Sequence, residues 1–125
     1  MISKSLQTAL GSALREARRR RHEYLCVEHL LYALLDDAYG AEVLRNCGAS
    51  IESLRAKTQQ FLEEELDVVP EGDHHAIQQT PSFERLMQRA FLHVQFSGKK
   101  EVDAGDILAA IFEEEDSFAA YFLAE

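Results

Sequence analysis

The sequence predicts an all-α fold, in which two related repeats of short helices form one compact bundle. Apolar residues recur at helical spacing along most of the chain. Gly and Pro are scarce, at 6 and 2 residues among 125, so a turn-rich sandwich or barrel is disfavoured. The third observation is an internal repeat, in which the two halves of the chain match in the type and order of their helices.

Four helices are predicted in the first repeat, residues 1–66, and their bounds are Ser3 or Ser5 to Arg21, Val27 to Leu35, Ala41 to Cys47, and Ser50 to Leu66. The first helix has one apolar face and ends in basic residues, which suit the helix dipole. The second is apolar on most sides, so we expect it at the centre of the domain. Asp36 and Asp37 end it, Gly48 stops the third helix, and Ser50 caps the fourth.

Residues 67–79 form a predicted exposed linker, because Pro70 and Gly72 interrupt the helical period. The second repeat, residues 80–125, begins at Thr80-Pro81, a cap followed by proline at the first helical position. Its first helix ends at Ser97-Gly98. Two further short helices are predicted to begin at Asp103 and at Asp116 or Ser117.

The two repeats match at an offset of 77 residues, which aligns His29 with Asp106. At this offset apolar residues fall on apolar residues: Leu6, Leu10, Ala13, Leu14 and Ala17 fall on Phe83, Met87, Ala90, Phe91 and Val94. The second repeat lacks a counterpart of the last helix of the first. We therefore expect a fragment of a longer protein, with an apolar strip exposed where that helix would dock.

Composition excludes several classes of protein. Hydrophobic residues make up 46% and charged residues 28% of the chain, which suits a globular domain rather than a disordered one. The net charge of −9 disfavours nucleic acid as the main partner, because that binding depends on neutralising phosphates. No apolar run is long enough to cross a membrane, and no signal peptide is evident. Two cysteines are too few for a disulfide scaffold, so we expect a cytoplasmic protein with reduced thiols.

Several motifs resemble the amino-terminal domains of Clp proteins, and these motifs are Arg21-His22-Glu23-Tyr24, Val27-Glu28-His29-Leu30-Leu31, Phe83-Glu84-Arg85 and Gln88-Arg89-Ala90. The similarity extends from Leu6 to Leu123, and residues 90–95 and 119–123 look most like the ClpA branch. The resemblance implies an eight-helix domain of two pseudo-twofold repeats, residues 1–125 being one such domain. In that family the domain precedes two ATPase modules of an unfoldase that feeds a ClpP-type peptidase. The partners that the resemblance implies are a ClpS-type adaptor and unfolded protein substrates.

Six polar residues are the candidate adaptor-binding site that the resemblance implies. Glu23 and Glu28 flank the bend after the first helix, and a bend exposes side chains. The other four belong to the second repeat and are Thr80, Arg85, Gln88 and Arg89. Together they would form a mixed-charge surface, which affects association rate and register more than affinity. The alternative is that these exposed charged residues are only solvated.

His22, Glu28 and His93 are the candidate metal ligands, for zinc. They would converge if repeat pairing brought the two first helices together, as the ClpA branch implies. His29 is expected to be a packed or capping residue. Cys26 stands where the family usually has a Ser or Thr cap, so we expect this helix start to be weaker by about 1 kcal/mol.

No catalytic residue is predicted. Gly98-Lys99-Lys100 lacks the upstream glycine and the following Ser or Thr of a phosphate-binding loop, and no nucleophile elbow occurs. The leading hypothesis is therefore a non-catalytic recognition domain of a Clp unfoldase, with no cofactor unless zinc binds. Two alternatives stay open: a small zinc hydrolase centred on His22, Glu28 and His93, and a stand-alone helical interaction scaffold.

Overall fold

The computed structural model describes residues 2–66, 68 and 77–113, and it contains six helices and one small sheet within these ranges. The helices are α1 (Lys4–Arg19), α2 (Val27–Leu34), α3 (Ala38–Asn46), α4 (Ile51–Glu64), α5 (Pro81–Ser97) and α6 (Ala104–Glu113). The strands are β1 (Tyr24–Leu25) and β2 (Gln78–Gln79), which pair in parallel. The all-α prediction is confirmed, and none of the described helices is long and apolar enough to cross a membrane.

Polar N-cap side chains start five of the six described helices, and these caps are Ser3, Asp37, Ser50, Thr80 and Asp103. Each side chain accepts a hydrogen bond from the backbone N–H three residues further on. Asp37 caps α3 rather than ending α2, so α3 begins at Ala38, before the predicted Ala41. Gly48 and Gly98 have left-handed φ values of 87° and 79° and follow α3 and α5, as predicted.

The core is built around α2 and α6, the corresponding helices of the two repeats. Leu30, Leu31 and Leu34 of α2 have no exposed surface, and neither have Ile107 and Ile111 of α6. α1 and α4 pack on α2, and α5 packs on α6. Full burial of one such side chain stabilises the fold by about 1.5–3 kcal/mol. The expectation that α2 lies at the centre is confirmed.

Two crossed backbone contacts join the repeats. The N–H of Thr80 donates to the carbonyl of Leu25 at 3.0 Å, and the N–H of Ser3 donates to the carbonyl of Val102 at 2.8 Å. The second bond repeats the first at the offset of 77 residues, with the roles of the two repeats exchanged. Each repeat thus pairs the residue two positions before its own central helix with the start of the first helix of the other repeat. This reciprocity is what a pseudo-twofold relation requires.

Two parts of the sequence prediction fall in or beside the residues that the structure does not describe. Of the predicted linker, the structure describes Val68 and residues 77–79. Gln78 and Gln79 are exposed, as predicted, but they form β2 and are therefore more than a connector. The predicted last helix, from Asp116 or Ser117, lies outside the described residues.

Candidate functional site

The bend is the segment between α1 and α2, residues 20–26, and a tight reversal at its start sets its direction. The N–H of His22 reaches back to the carbonyl of Ala17 at 2.9 Å, and the N–H of Arg21 reaches that of Arg18 at 3.0 Å. Between them Arg21 adopts a left-handed φ of 58°. This conformation costs a side-chain-bearing residue about 1–2 kcal/mol, so contacts elsewhere in the bend must offset it.

The pairing of β1 with β2 brings the bend to the start of α5. Leu25 stands opposite Gln79, and the next residue, Thr80, is the N-cap of α5. Glu23 precedes β1 directly and is half-buried. The structure therefore places one end of the bend and the first turn of α5 at the same edge. We call the six predicted adaptor-binding residues the rim, and they are Glu23, Glu28, Thr80, Arg85, Gln88 and Arg89.

The basic members of the rim lie along α5. Arg85 and Gln88 are exposed, and a guanidinium nitrogen of Arg85 donates to Ser82 Oγ at 3.1 Å. Arg89 turns towards the end of α6, where its Nε lies 3.4 Å from a carboxylate oxygen of Glu113. Such a pair at the surface contributes little to stability, so the arginine can exchange its partner at small cost.

Glu28 departs from the prediction that the bend exposes it. Its surface is only 6% exposed, because it lies in the first turn of α2, the most deeply buried helix. Its side chain is hydrogen-bonded with the thiol of Cys26. Burial first, and then the negative charge of Glu28, raises the pKa of that thiol. Glu28 is thus a structural neighbour of Cys26, and Glu23 is the acidic residue of the rim that meets solvent.

A pair of buried histidines lies beneath the rim. His22 Nδ1 and His29 Nε2 are 2.7 Å apart, and the two residues are 3% and 0% exposed. His29 Nδ1 accepts the backbone N–H of Cys26 at 3.0 Å, which leaves Nε2 to carry the proton and donate to His22. His22 in turn is hydrogen-bonded to the backbone of Leu62 on α4. One chain of hydrogen bonds therefore links the bend, α2 and α4.

Both histidines are held in the neutral form at neutral pH. Burial, followed by the charge of His22, lowers the pKa of His29 to about 4. Burial also lowers the pKa of His22, and the nearby Arg20 adds to this effect. Each ring nitrogen of the pair that carries no proton already accepts a hydrogen bond. A proton added to such a nitrogen would therefore set two donors against each other.

The second repeat has an ion pair where the first has the histidines. Lys99 and Asp106 occupy the places of His22 and His29 at the offset of 77 residues, and Lys99 Nζ lies 2.7 Å from Asp106 Oδ2. Asp106 and Asp103 also bond each other's backbone N–H groups, at 3.0 and 3.1 Å. Burial tends to raise the pKa of Asp106, but the hydrogen bonds from Lys99 and Asp103 outweigh it and lower that pKa.

His29 also changes the expectation for the start of α2. The thiol of Cys26 is a weak cap, but the side chain of His29, three residues later, accepts the N–H of Cys26, and the N–H of His29 bonds the carbonyl of Cys26 at 3.1 Å. This is one half of a capping box, with His in place of Glu or Gln. The prediction that His29 caps is confirmed. The spacing of Cys26 and His29 carried this signal, whereas nothing local indicated the contact with His22.

The expected convergence of His22, Glu28 and His93 is not found. His22 faces His29 in the interior, while His93 lies exposed on α5. The expectation required α1 and α5 to pack together, but the main neighbour of α1 is α2 and that of α5 is α6. Within residues 2–66, 68 and 77–113, no group of three or more His, Cys, Asp or Glu side chains is placed to hold a metal ion.

Comparison with known proteins gives one consistent result. The family model of the Clp repeat N-terminal domain matches residues 1–125. A ClpA homolog protein from Fuscovulum blasticum is 40% identical over 125 residues, which cover 99% of this chain but only 16% of that protein. The chain thus spans about a sixth of that relative.

Two solved structures share the fold. The Hsp104 N-terminal domain from Candida albicans superposes with a TM-score of 0.85 at 13% identity, over 98% of this chain and 79% of that one. A ClpV N-domain in complex with a VipB peptide superposes with a TM-score of 0.76 at 23% identity, over 98% of this chain and 76% of that one. At these identities the likeness concerns the fold alone.

Proposed function

The chain belongs to the family of Clp N-terminal domains, and from that premise we propose that it is the non-catalytic recognition domain of a ClpA-type AAA+ unfoldase. In this role it binds a ClpS-type adaptor and unfolded protein substrates in the cytoplasm. ATPase modules elsewhere in the parent protein unfold the cargo and pass it to a ClpP-type peptidase.

The observation that supports this proposal is the composition of the rim. The backbone bond from Thr80 to Leu25 ties the segment that carries Glu23 to the start of α5, a helix with Arg85 and Gln88 at its surface. Opposite charges fixed at one edge favour a protein partner with a complementary pattern and speed its association. A domain of the same fold, the ClpV N-domain, binds a VipB peptide, which is consistent with a protein ligand.

The mechanism is tethering. A recognition domain attached to an unfoldase ring raises the local concentration of its cargo near the pore, so that a modest affinity is enough for delivery. The domain itself needs no catalytic group for this role. Charged residues at the rim set the register of the bound partner, and the buried histidine pair lies too deep to contact it.

Calorimetric titration of a purified ClpS-type adaptor into this domain tests the proposal. The informative variants are Glu23→Arg and Arg85→Glu, because both residues reach the surface of the rim, whereas Glu28 is buried. Glu42→Arg is the matched control, since it makes the same charge change at an exposed position of α3, a helix that packs on α4 and α6. We expect one-to-one binding that each rim variant weakens about tenfold and that the control leaves unchanged.

No binding by the folded wild-type domain would refute the adaptor assignment. Binding that all three variants leave unchanged would refute the rim as its site. Zinc stays a separate proposal, and the same samples test it. Metal retained after dialysis and lost in a His22→Ala, His93→Ala variant would support zinc at these residues, and a metal-free wild-type domain would contradict it.

A further inference from the structure

We propose that His22 and His29 are positioning residues for the rim: their hydrogen-bonded pair fixes the backbone on which Glu23 presents its carboxylate to a protein partner. Neither histidine touches that partner, since both are almost completely buried. The inference rests on the proposed function, because it assigns a role in protein binding to groups that lie beneath the surface.

The backbone on either side of Glu23 is anchored by this pair. On one side the ring of His22 bonds His29 and the backbone of Leu62. On the other side the N–H of Cys26 bonds the ring of the same His29 at 3.0 Å. One imidazole thus holds both ends of the segment that carries Glu23 and β1. The position of the rim carboxylate relative to α5 depends on that ring.

The anchoring acts against a local preference of the chain. Arg21, two residues before Glu23, has a left-handed backbone that a side-chain-bearing residue rarely adopts. The bonds of His22, among them its N–H to Ala17 and its ring to His29, hold this conformation from the far side. When the ring contact is lost, Arg21 can relax to an ordinary conformation, and Glu23 moves with it.

His29 has two tasks that one substitution can separate. A glutamine at this position can still accept the N–H of Cys26, as in an ordinary capping box, but it is too short and has the wrong geometry to reach His22 as well. His29→Gln therefore keeps the cap of α2 and removes the link to the bend. A loss of binding in this variant reports on positioning rather than on the loss of the helix start.

The second repeat supplies both a control and a rescue. Lys99 and Asp106 make the same connection in the other repeat at the same distance of 2.7 Å, but the residue that follows Lys99 is Lys100, the counterpart of Glu23, and not a member of the rim. Lys99→Met breaks that connection and should leave the rim in place. The double variant His22→Lys, His29→Asp transfers the second repeat's ion pair to the first and should restore the anchored bend.

The experiment combines adaptor titration with amide hydrogen exchange. For His29→Gln we expect adaptor binding about tenfold weaker, the effect of one buried hydrogen bond. We also expect the N–H of Thr80, which bonds β1, to exchange about tenfold faster, with no change at the equivalent N–H of Ser3. Lys99→Met should leave adaptor binding and Thr80 unchanged. The double variant should recover at least part of the wild-type affinity.

The outcomes separate the inference from the function on which it rests. If the wild-type domain binds the adaptor and His29→Gln binds it equally well, the positioning role is wrong. A folded double variant that recovers nothing also contradicts it, because the anchor would then have been restored without effect. If the wild-type domain binds no adaptor, the proposed function fails, and exchange at Thr80 still decides whether the pair fixes the bend.

Discussion

Mild acid should destabilise this domain through His29. Burial and the neighbouring His22 lower the pKa of His29 to about 4, from its ordinary 6.5. The unfolded chain therefore binds this proton more readily than the folded chain. The contribution to stability is complete above pH 6.5 and is lost as the pH falls towards 4. His22, whose pKa is also lowered, acts in the same direction.

The size of the effect follows from the difference between the two pKa values of His29. At about 1.4 kcal/mol for each unit, the full loss is about 3.4 kcal/mol, of which about 2 kcal/mol is lost by pH 5. The pKa values of Glu16 and Asp106 are lowered from 4.5 and 3.8, so their contributions to stability persist at pH 5 and are lost below it.

Urea denaturation followed by circular dichroism at pH 7.5 and pH 5 measures this loss. The wild-type domain should lose about 2 kcal/mol of unfolding free energy between the two pH values, and His29→Gln much less, because glutamine does not titrate. Lys99→Met is the control and should retain the wild-type loss. An equal loss in the wild-type domain and in His29→Gln would refute the reasoning, since the acid sensitivity would then come from other groups.

Three further predictions concern stability and reactivity. Lys99→Met should destabilise the domain by about 1.5–3 kcal/mol at pH 7.5, measured by urea denaturation, because it leaves a buried carboxylate without its cation; an unchanged midpoint would contradict this. Gly40→Ala should destabilise the domain by more than 1 kcal/mol, because a Cβ there would lie 2.8 Å from a backbone oxygen of α2. Gly11→Ala should instead stabilise the domain by about 0.5–1 kcal/mol, because its Cβ would lie 3.4 Å from the nearest atom and alanine favours a helix. A thiol reagent should modify exposed Cys47 rapidly and buried Cys26 only on unfolding, and rapid reaction of both thiols would contradict the burial of Cys26.

The helices were predictable because their ends carry local signals. Thr80-Pro81 and Gly98 mark the two ends of α5, and the structure begins and ends the helix there. Asp37 shows the limit of such signals. An aspartate between two apolar segments fits the end of one helix and the cap of the next, and only the bond to Gly40 distinguishes the two.

The contacts that build the candidate site were less predictable, because they depend on packing between segments distant in the sequence. Two-residue strands such as β1 and β2 have no periodicity to detect. The pairing of His22 with His29 depends on the left-handed backbone of Arg21, which no sequence rule indicated. The burial of Glu28 and the placement of His22 and His93 were hard to predict for a related reason. The first depends on how deeply α2 is buried, and the second on which helices are neighbours.

The crossed contacts also describe how such a chain can arise. In a twofold homodimer of a single repeat, the residue two positions before the central helix of each subunit would bond the start of the first helix of the other, and the two bonds would be identical by symmetry. Here the same two bonds join the halves of one chain, at Leu25 with Thr80 and at Val102 with Ser3. Fusion removes the requirement that both halves share one sequence. One half can then hold its bend with neutral imidazoles and the other with an ion pair, and only one of two equivalent edges needs to keep a binding surface.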